Sequence, residues 1–238
     1  MSKPIKFVAT VERVREVTLR GTADFAFWQS QLADYELEPA DHYGRARILV
    51  IAASMRYMGM QFTEVSFSVE VVPPDQCEQP DAGFLIHAFN TSRMFAFSER
   101  VVFGTPYYHA DCRLSTIAPI SIGVAESGRT VFHAAMNSGA AAGVTSRVPT
   151  QSGIEAWEGP IFLPRKPGAT SNRRYVFFGK LHGDASIYPY RCELDSVSIV
   201  SSRSAAVFKN LIDSGFAGEE WQIRQAGTHA RSKTYPRK

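Results

Sequence analysis

The stretch Ser98–Leu114, SERVVFGTPYYHADCRL, decides how this chain is read. It opens on the end of a helix whose apolar stripe is Met94, Phe97 and Val101, and which Thr91 or Ser92 can cap. Gly104 suits the left-handed stop just past such a helix, and Pro106 forbids its continuation. From Tyr107 to Thr116 the chain reads as a strand. Alternation aims Tyr107, His109, Asp111 and Arg113 one way, and Tyr108, Ala110, Cys112 and Leu114 the other. The stretch is therefore a helix, a turn and a strand with one polar face.

On the N-terminal side the signals are mostly β. Residues 7–20 read as a strand pair or one bent strand. Thr22 is placed as a helix N-cap, with Asp24 near the positive end of the helix and Phe25, Trp28 and Leu32 on its buried face. Residues 46–55 form an apolar run of strand length. Over 60–72, Val65, Phe67, Val69 and Val71 share one face, and Glu64, Ser66, Ser68 and Glu70 share the other. Residues 73–81 read as a loop and 83–90 as a further strand. On the C-terminal side, 117–125 and 129–137 pair as a hairpin around Glu126-Ser127-Gly128. Residues 138–153 form a long binding-loop candidate. Strands are expected at 173–181 and 188–200, then a helix to Ile212 capped by Ser202 or Ser204. The sum is a mainly β (α+β) chain with two or three short helices. A curved or closed sheet is the expected way to hide so many edges.

Composition bounds the function classes. The chain has 238 residues, 45% hydrophobic and 12% aromatic, enough to bury a sizeable core. Net charge is +3, but residues 224–238 alone carry five basic and no acidic groups, so the rest is slightly acidic and not a nucleic-acid binder. That basic segment reads as a flexible tail. The three cysteines, Cys77, Cys112 and Cys192, are odd in number and scattered, which points to free thiols in a reducing compartment. MSKPIKFVATVERV lacks a signal-peptide core, and no stretch has the apolar length of a spanning helix. The expectation is a cytoplasmic protein that binds neither membrane nor nucleic acid. No GxSxG elbow, GxGxxG turn, Walker loop, HExxH or CxxC is present, so no cofactor or metal is expected.

Three segments, in order, resemble the acetoacetate decarboxylase family. Gly59-Met60-Gln61-Phe62-Thr63-Glu64 is similar to its aromatic-Thr-Glu strand, whose glutamate faces the active site. Arg100 precedes Pro106 as an arginine precedes the family's Pro-Lys-Lys turn. Glu155–Pro160, EAWEGP, is similar to its Glu-Ala-Trp-x-Gly-Pro segment. The helix over 22–33 followed by Leu37-Glu38-Pro39 also suits it. The resemblance implies an acetoacetate decarboxylase-like domain over 1–223 with a tail over 224–238, a small carbonyl substrate and a homo-oligomer. It departs at the key turn. In the family, one of the two lysines after the proline attacks the substrate ketone to form an iminium. Here Pro106 is followed by Tyr107 and Tyr108, and neither can do so.

The candidate residues follow. Glu64 is the proton-moving group if its face lines a cavity; an exposed, solvated face is the other reading of the same parity. Tyr107 and His109 are candidates to hold an enolate oxygen, with Asp111 pairing His109. Arg113 or Arg100 would hold a substrate anion. A water-facing strand carrying one salt bridge is the alternative for the 107–113 row, and Arg100 also suits a helix end on dipole grounds alone. Arg15 reads as surface charge, Trp157 as a packing residue, and Lys180 as a remote candidate for a displaced amine. The expected activity is acid/base and enolate chemistry of the lyase, dehydratase, cyclase or decarboxylase type on an oxo acid or polyketide-like carbonyl compound. A non-catalytic binding protein or oligomeric structural subunit of the same fold is the alternative.

Overall fold

A computed structural model describes residues 5–72, 82–137, 147–165, 174–202 and 204–237. Its strands are β1 (Phe7–Asp24), β2 (Glu38–Pro39), β3 (Asp41–His42), β4 (Arg45–Tyr57), β5 (Met60–Val72), β6 (Ala82–Asn90), β7 (Tyr107–His109), β8 (Asp111–Ser115), β9 (Ile120–Glu126), β10 (Arg129–Met136), β11 (Gln151–Leu163), β12 (Tyr175–Pro189), β13 (Ser196–Ile199), β14 (Ala217–Ser232) and β15 (Tyr235–Pro236). Three short helices accompany them among the described residues: α1 (Phe25–Leu32), α2 (Arg93–Ser98) and α3 (Ala206–Asp213). The chain is mainly β, as its alternating patterns predict.

The large sheet runs β5-β4-β1-β14-β12-β11-β6, and β6 pairs back onto β5, so seven strands close into a ring. Closure removes the exposed edges that such long strands would otherwise present. A second sheet, β13-β10-β9-β8, packs outside it. The alternation in β5 sets the two faces of the ring. Val65, Phe67, Val69 and Val71 are fully buried in the main core, with Val17 and Leu19 of β1 and Trp221 and Ile223 of β14. The same core holds Trp28 and Leu32 of α1, Phe208 and Leu211 of α3, and Ile122 and Phe132 of the second sheet. A seven-stranded ring has room inside for little more than side chains or one small ligand. A core that includes two helices and a second sheet is therefore the outside of the ring. The opposite parity, carrying Glu64, Glu16 and Arg224, faces inward.

Local expectations hold in several places. Ser92 caps α2 by accepting from the Phe95 N–H at 3.3 Å, and Gly104 ends the following π-turn at φ 70°. Ser127 and Gly128 turn the β9–β10 hairpin with φ of 50° and 79°, the pair of positive angles a type I′ turn requires.

Others need correcting. Residues 7–24 form one long strand, and Asp24, not Thr22, caps α1, accepting from the Phe27 N–H at 2.6 Å. Thr22 stays in β1, where its hydroxyl donates to Glu219. The α2 stripe Met94, Phe97 and Val101 is exposed, because Ala96 is buried and Phe95 turns inward onto Phe62 at 4.6 Å. Helix α3 starts without a side-chain cap; Ser202 and Ser204 bond Glu126 instead. The basic segment 224–238 is not a tail. Residues 224–232 complete β14, which lies between β1 and β12 in the ring. Its alternation, with Trp221 and Ile223 out and Gln222 and Arg224 in, is that of a two-sided strand. Cys112 and Cys192 are free thiols. Cys77, Lys166, the loop expected at 73–81 and residues 138–146 of the loop expected at 138–153 lie outside the described residues; Gln151–Gly153 of that loop open β11 instead.

Candidate active site

Strand register builds the site. Glu64 of β5 stands opposite Ala53 of β4, Ala53 opposite Glu16 of β1, and Glu16 opposite Arg224 of β14. These four residues form one row across the inner wall, with Asn90 of β6 on the other side of Glu64. At about 4.8 Å per strand, Glu64 and Glu16 sit roughly 10 Å apart. Ala53 between them is buried in an apolar cluster with Val14, Met55 and Phe62.

Arg224 and Glu16 are each 1% exposed and form a direct ion pair. Glu16 also receives His229 Nε2 at 2.7 Å. Arg224 reaches Glu155 of the EAWEGP segment at 3.7 Å, and Gln222 donates to the same carboxylate. Burial works to raise the Glu16 pKa, but the His229 bond and the charges of His229 and Arg224 outweigh it, and the group is held below its usual range. A buried charge is sustained only with such partners. Space for the Arg224 stem comes from two facing glycines: a Cβ on Gly227 would lie 2.5 Å from Arg224 Cδ, and one on Gly183 3.1 Å from it.

Glu64 has no such compensation. It is half-buried on the inner face of the ring. Burial, reinforced by the Glu99 charge, pushes its carboxyl up to about 7 against the pull of His229, Arg231 and a hydrogen bond from Tyr107. Near neutral pH both protonation states are populated, the condition for a group that gives and takes protons. Tyr107 starts β7 beside Ala88 of β6 and packs against Leu85, Leu163 and Phe177. Burial, then the neighbouring Glu64 and Glu99 charges, raise its pKa well above 10, so its hydroxyl remains a donor.

Arg231 completes the group. Its guanidinium lies between the Phe103 and Phe177 rings, 4.4 and 4.5 Å from their centroids, and Nη1 is paired with Glu99. Glu99 is anchored by Thr105, whose hydroxyl donates to its carboxylate at 2.8 Å.

The remaining sequence candidates lie elsewhere. The strand expected over 107–116 breaks at Ala110, leaving β7 beside β6 at the edge of the large sheet and β8 in the second sheet. His109 at the end of β7, and Asp111 and Arg113 beyond the break, are exposed. Arg100 is also exposed, over the outer face of the Tyr108 ring at 5.2 Å. Arg15 is exposed, and Trp157 packs its ring over Gly179. Lys180 is exposed and bonded to Glu158 at 3.0 Å; Lys6, Lys209 and Lys233 are exposed too. Among the described residues, no cluster of three His, Cys, Asp or Glu side chains is arranged to hold a metal. Sequence reading missed Glu16, Glu99, Arg224, His229 and Arg231. The alternation of EEWQIR, 219–224, was the available signal for β14.

Comparison with known proteins bears on the fold. No family model and no curated relative matches the chain. Solved structures do. Acetoacetate decarboxylase from Legionella pneumophila matches with a TM-score of 0.65 at 13% identity, over 100% of this chain and 92% of its own. The enduracididine biosynthesis enzyme MppR, complexed with the condensation product of pyruvate and imidazole 4-carboxaldehyde, matches at 0.61 and 11% identity, over 99% and 90%. A second acetoacetate decarboxylase matches at 0.61 and 10% identity, over 97% and 91%. The chain has the acetoacetate decarboxylase-like fold.

Proposed function

We propose that the protein is an enzyme of acetoacetate decarboxylase-like architecture that works by proton transfer and enolate stabilisation on a small oxo acid. The observation that carries this reading is the inward-facing Glu64 carboxyl, poised near pH 7 and hydrogen-bonded to Tyr107. The Glu64 carboxylate takes a proton from the carbon next to the substrate carbonyl. The electron pair moves onto the carbonyl oxygen, and the Tyr107 hydroxyl donates a hydrogen bond to the enolate formed. Return of the proton completes enolisation, and loss of a hydroxyl from the neighbouring carbon, leaving as water, completes dehydration; in carbon–carbon cleavage Glu64 instead takes the proton of a β-hydroxyl, and the electron pair of the breaking carbon–carbon bond forms the enolate. No lysine amine takes part. The exposure of Lys6, Lys180, Lys209 and Lys233 supports that part of the reading. Two similar folds belong to enzymes of carbonyl chemistry, and MppR holds a product built from pyruvate.

The test is deuterium incorporation from D2O into the α-carbon of a panel of 2-oxo and 3-oxo acids, followed by NMR. Wild type is expected to exchange at least one of them, and Glu64→Gln to lose about 100-fold or more of that rate. Borohydride with the same acids should leave the protein mass unchanged. Exchange unaffected by Glu64→Gln, or a lysine adduct, overturns the mechanism; no exchange with any acid overturns the enzymatic reading.

A further inference from the structure

The proposed reaction needs something to hold the substrate's carboxylate. Arg113 and Arg100, the sequence candidates, are exposed away from Glu64. We propose that Arg231 is the specificity-determining residue that binds the carboxylate, and that its Nη2 edge is the donor. This rests on the oxo-acid reading of the same site.

Each donor of Arg231 can be followed. Nη1 is paired with Glu99, and Nε donates to the Ser232 carbonyl at 3.4 Å. Nη2 is buried and has no hydrogen-bond partner among the described residues. A buried guanidinium N–H without an acceptor costs free energy, so such a position persists where a ligand supplies the acceptor. The Phe103 and Phe177 rings on either side of the guanidinium set its plane, leaving little freedom to swing towards bulk water. The Phe177 ring that Arg231 lies over belongs to the apolar cluster against which Tyr107 packs, so Arg231 and Tyr107 meet at one ring. A 2-oxo acid with its carboxylate on Nη2 would present its carbonyl, and the C3 protons next to it, to Tyr107 and Glu64.

Glu99 sets the strength of this clamp. By neutralising one side of the guanidinium, it weakens the attraction for an anion while holding the side chain in place through Thr105. Glutamine at 99 would keep a hydrogen-bond acceptor and drop the opposing charge.

Binding, not turnover, tests the inference, so its outcome is separable from that of the mechanism. Dissociation constants for pyruvate and for its neutral isostere pyruvamide are measured by ligand-observed NMR on wild type, Arg231→Met and Glu99→Gln, each checked for folding by circular dichroism. Arg231→Met is expected to weaken pyruvate about 10- to 100-fold, the range of a charge-assisted hydrogen bond, and pyruvamide much less. Glu99→Gln is expected to tighten pyruvate several-fold, a gain that a damaged fold does not mimic. If Arg231→Met fails to fold, the Glu99→Gln result decides alone. Equal weakening of both ligands, unchanged pyruvate affinity in Glu99→Gln, or no binding of pyruvate to wild type overturns the assignment. Binding with the expected pattern but without α-exchange would keep the clamp and remove the mechanism.

Discussion

Replacing Arg224 by Met probes the part of the structure least expected from the sequence. If residues 224–238 were a frayed tail, the change would be silent. In the ring, Arg224 is 1% exposed and is the ion-pair partner of Glu16, itself 1% exposed. Methionine conserves much of the stem's volume, so the loss is chiefly electrostatic. Removing one partner of a buried pair leaves an uncompensated charge, at a cost of about 3–5 kcal/mol. His229 still contacts Glu16, which favours the lower end of that range. The sign with pH follows from Glu16. Its folded pKa lies below the ordinary 4.5, so its contribution is present above that value and lost as pH falls through the folded pKa. In Arg224→Met, burial dominates and Glu16 protonates at higher pH, relieving the unpaired charge. Urea denaturation at pH 7 and pH 4.5 should therefore show a deficit of about 3 kcal/mol that shrinks by about 1 kcal/mol or more in acid. The double variant Glu16→Gln/Arg224→Met should recover much of the pH 7 loss, since removing both charges leaves neither unpaired. A deficit below about 0.5 kcal/mol at both pH values, the range of ordinary surface substitutions, would refute this placement of β14.

Two further outcomes follow from the same structure. Glu64 has a folded pKa of about 7 against an ordinary 4.5, so the folded state binds more protons between those values and stability falls as pH rises through them. Glu64→Gln should remove a stability loss of about 3 kcal/mol between pH 4.5 and pH 8, read as the difference between the two proteins' denaturation midpoints; matching pH profiles would count against the burial of Glu64. Phe67→Ala, at a fully buried position with edge-to-face contacts to Phe89, Phe132 and Phe208, should cost about 3–5 kcal/mol by urea denaturation, and a loss under about 1 kcal/mol would contradict the main core as described.

Much of the fold was legible because two-sided strands announce themselves. Val65, Phe67, Val69 and Val71 against Glu64, Ser66, Ser68 and Glu70 defined both the strand and its two faces. Alternation alone left open which way the polar face turned; ring closure through the β5–β6 pairing turns it inward. The same rule misled at 107–116. A period of two continues through any apolar–polar run, and Ala110 gave no mark of the break between sheets. Positive charge at the C-terminus misled in another way. Arg224 and Arg231 read as solvated because their partners, Glu16 and Glu99, stand 208 and 132 residues away in sequence. In α2, helical spacing picked out Met94, Phe97 and Val101, but a six-residue helix is oriented by its tertiary contacts, here Phe95 on Phe62.

The proposed chemistry needs Glu64 to be half-protonated near neutral pH. Glutamate labelled with 13C at the side-chain carboxyl, with the Glu64 signal assigned by its absence in Glu64→Gln, reports that state directly. A titration midpoint near 7 is expected. A midpoint between about 4 and 5, the range of a solvated glutamate, would contradict it.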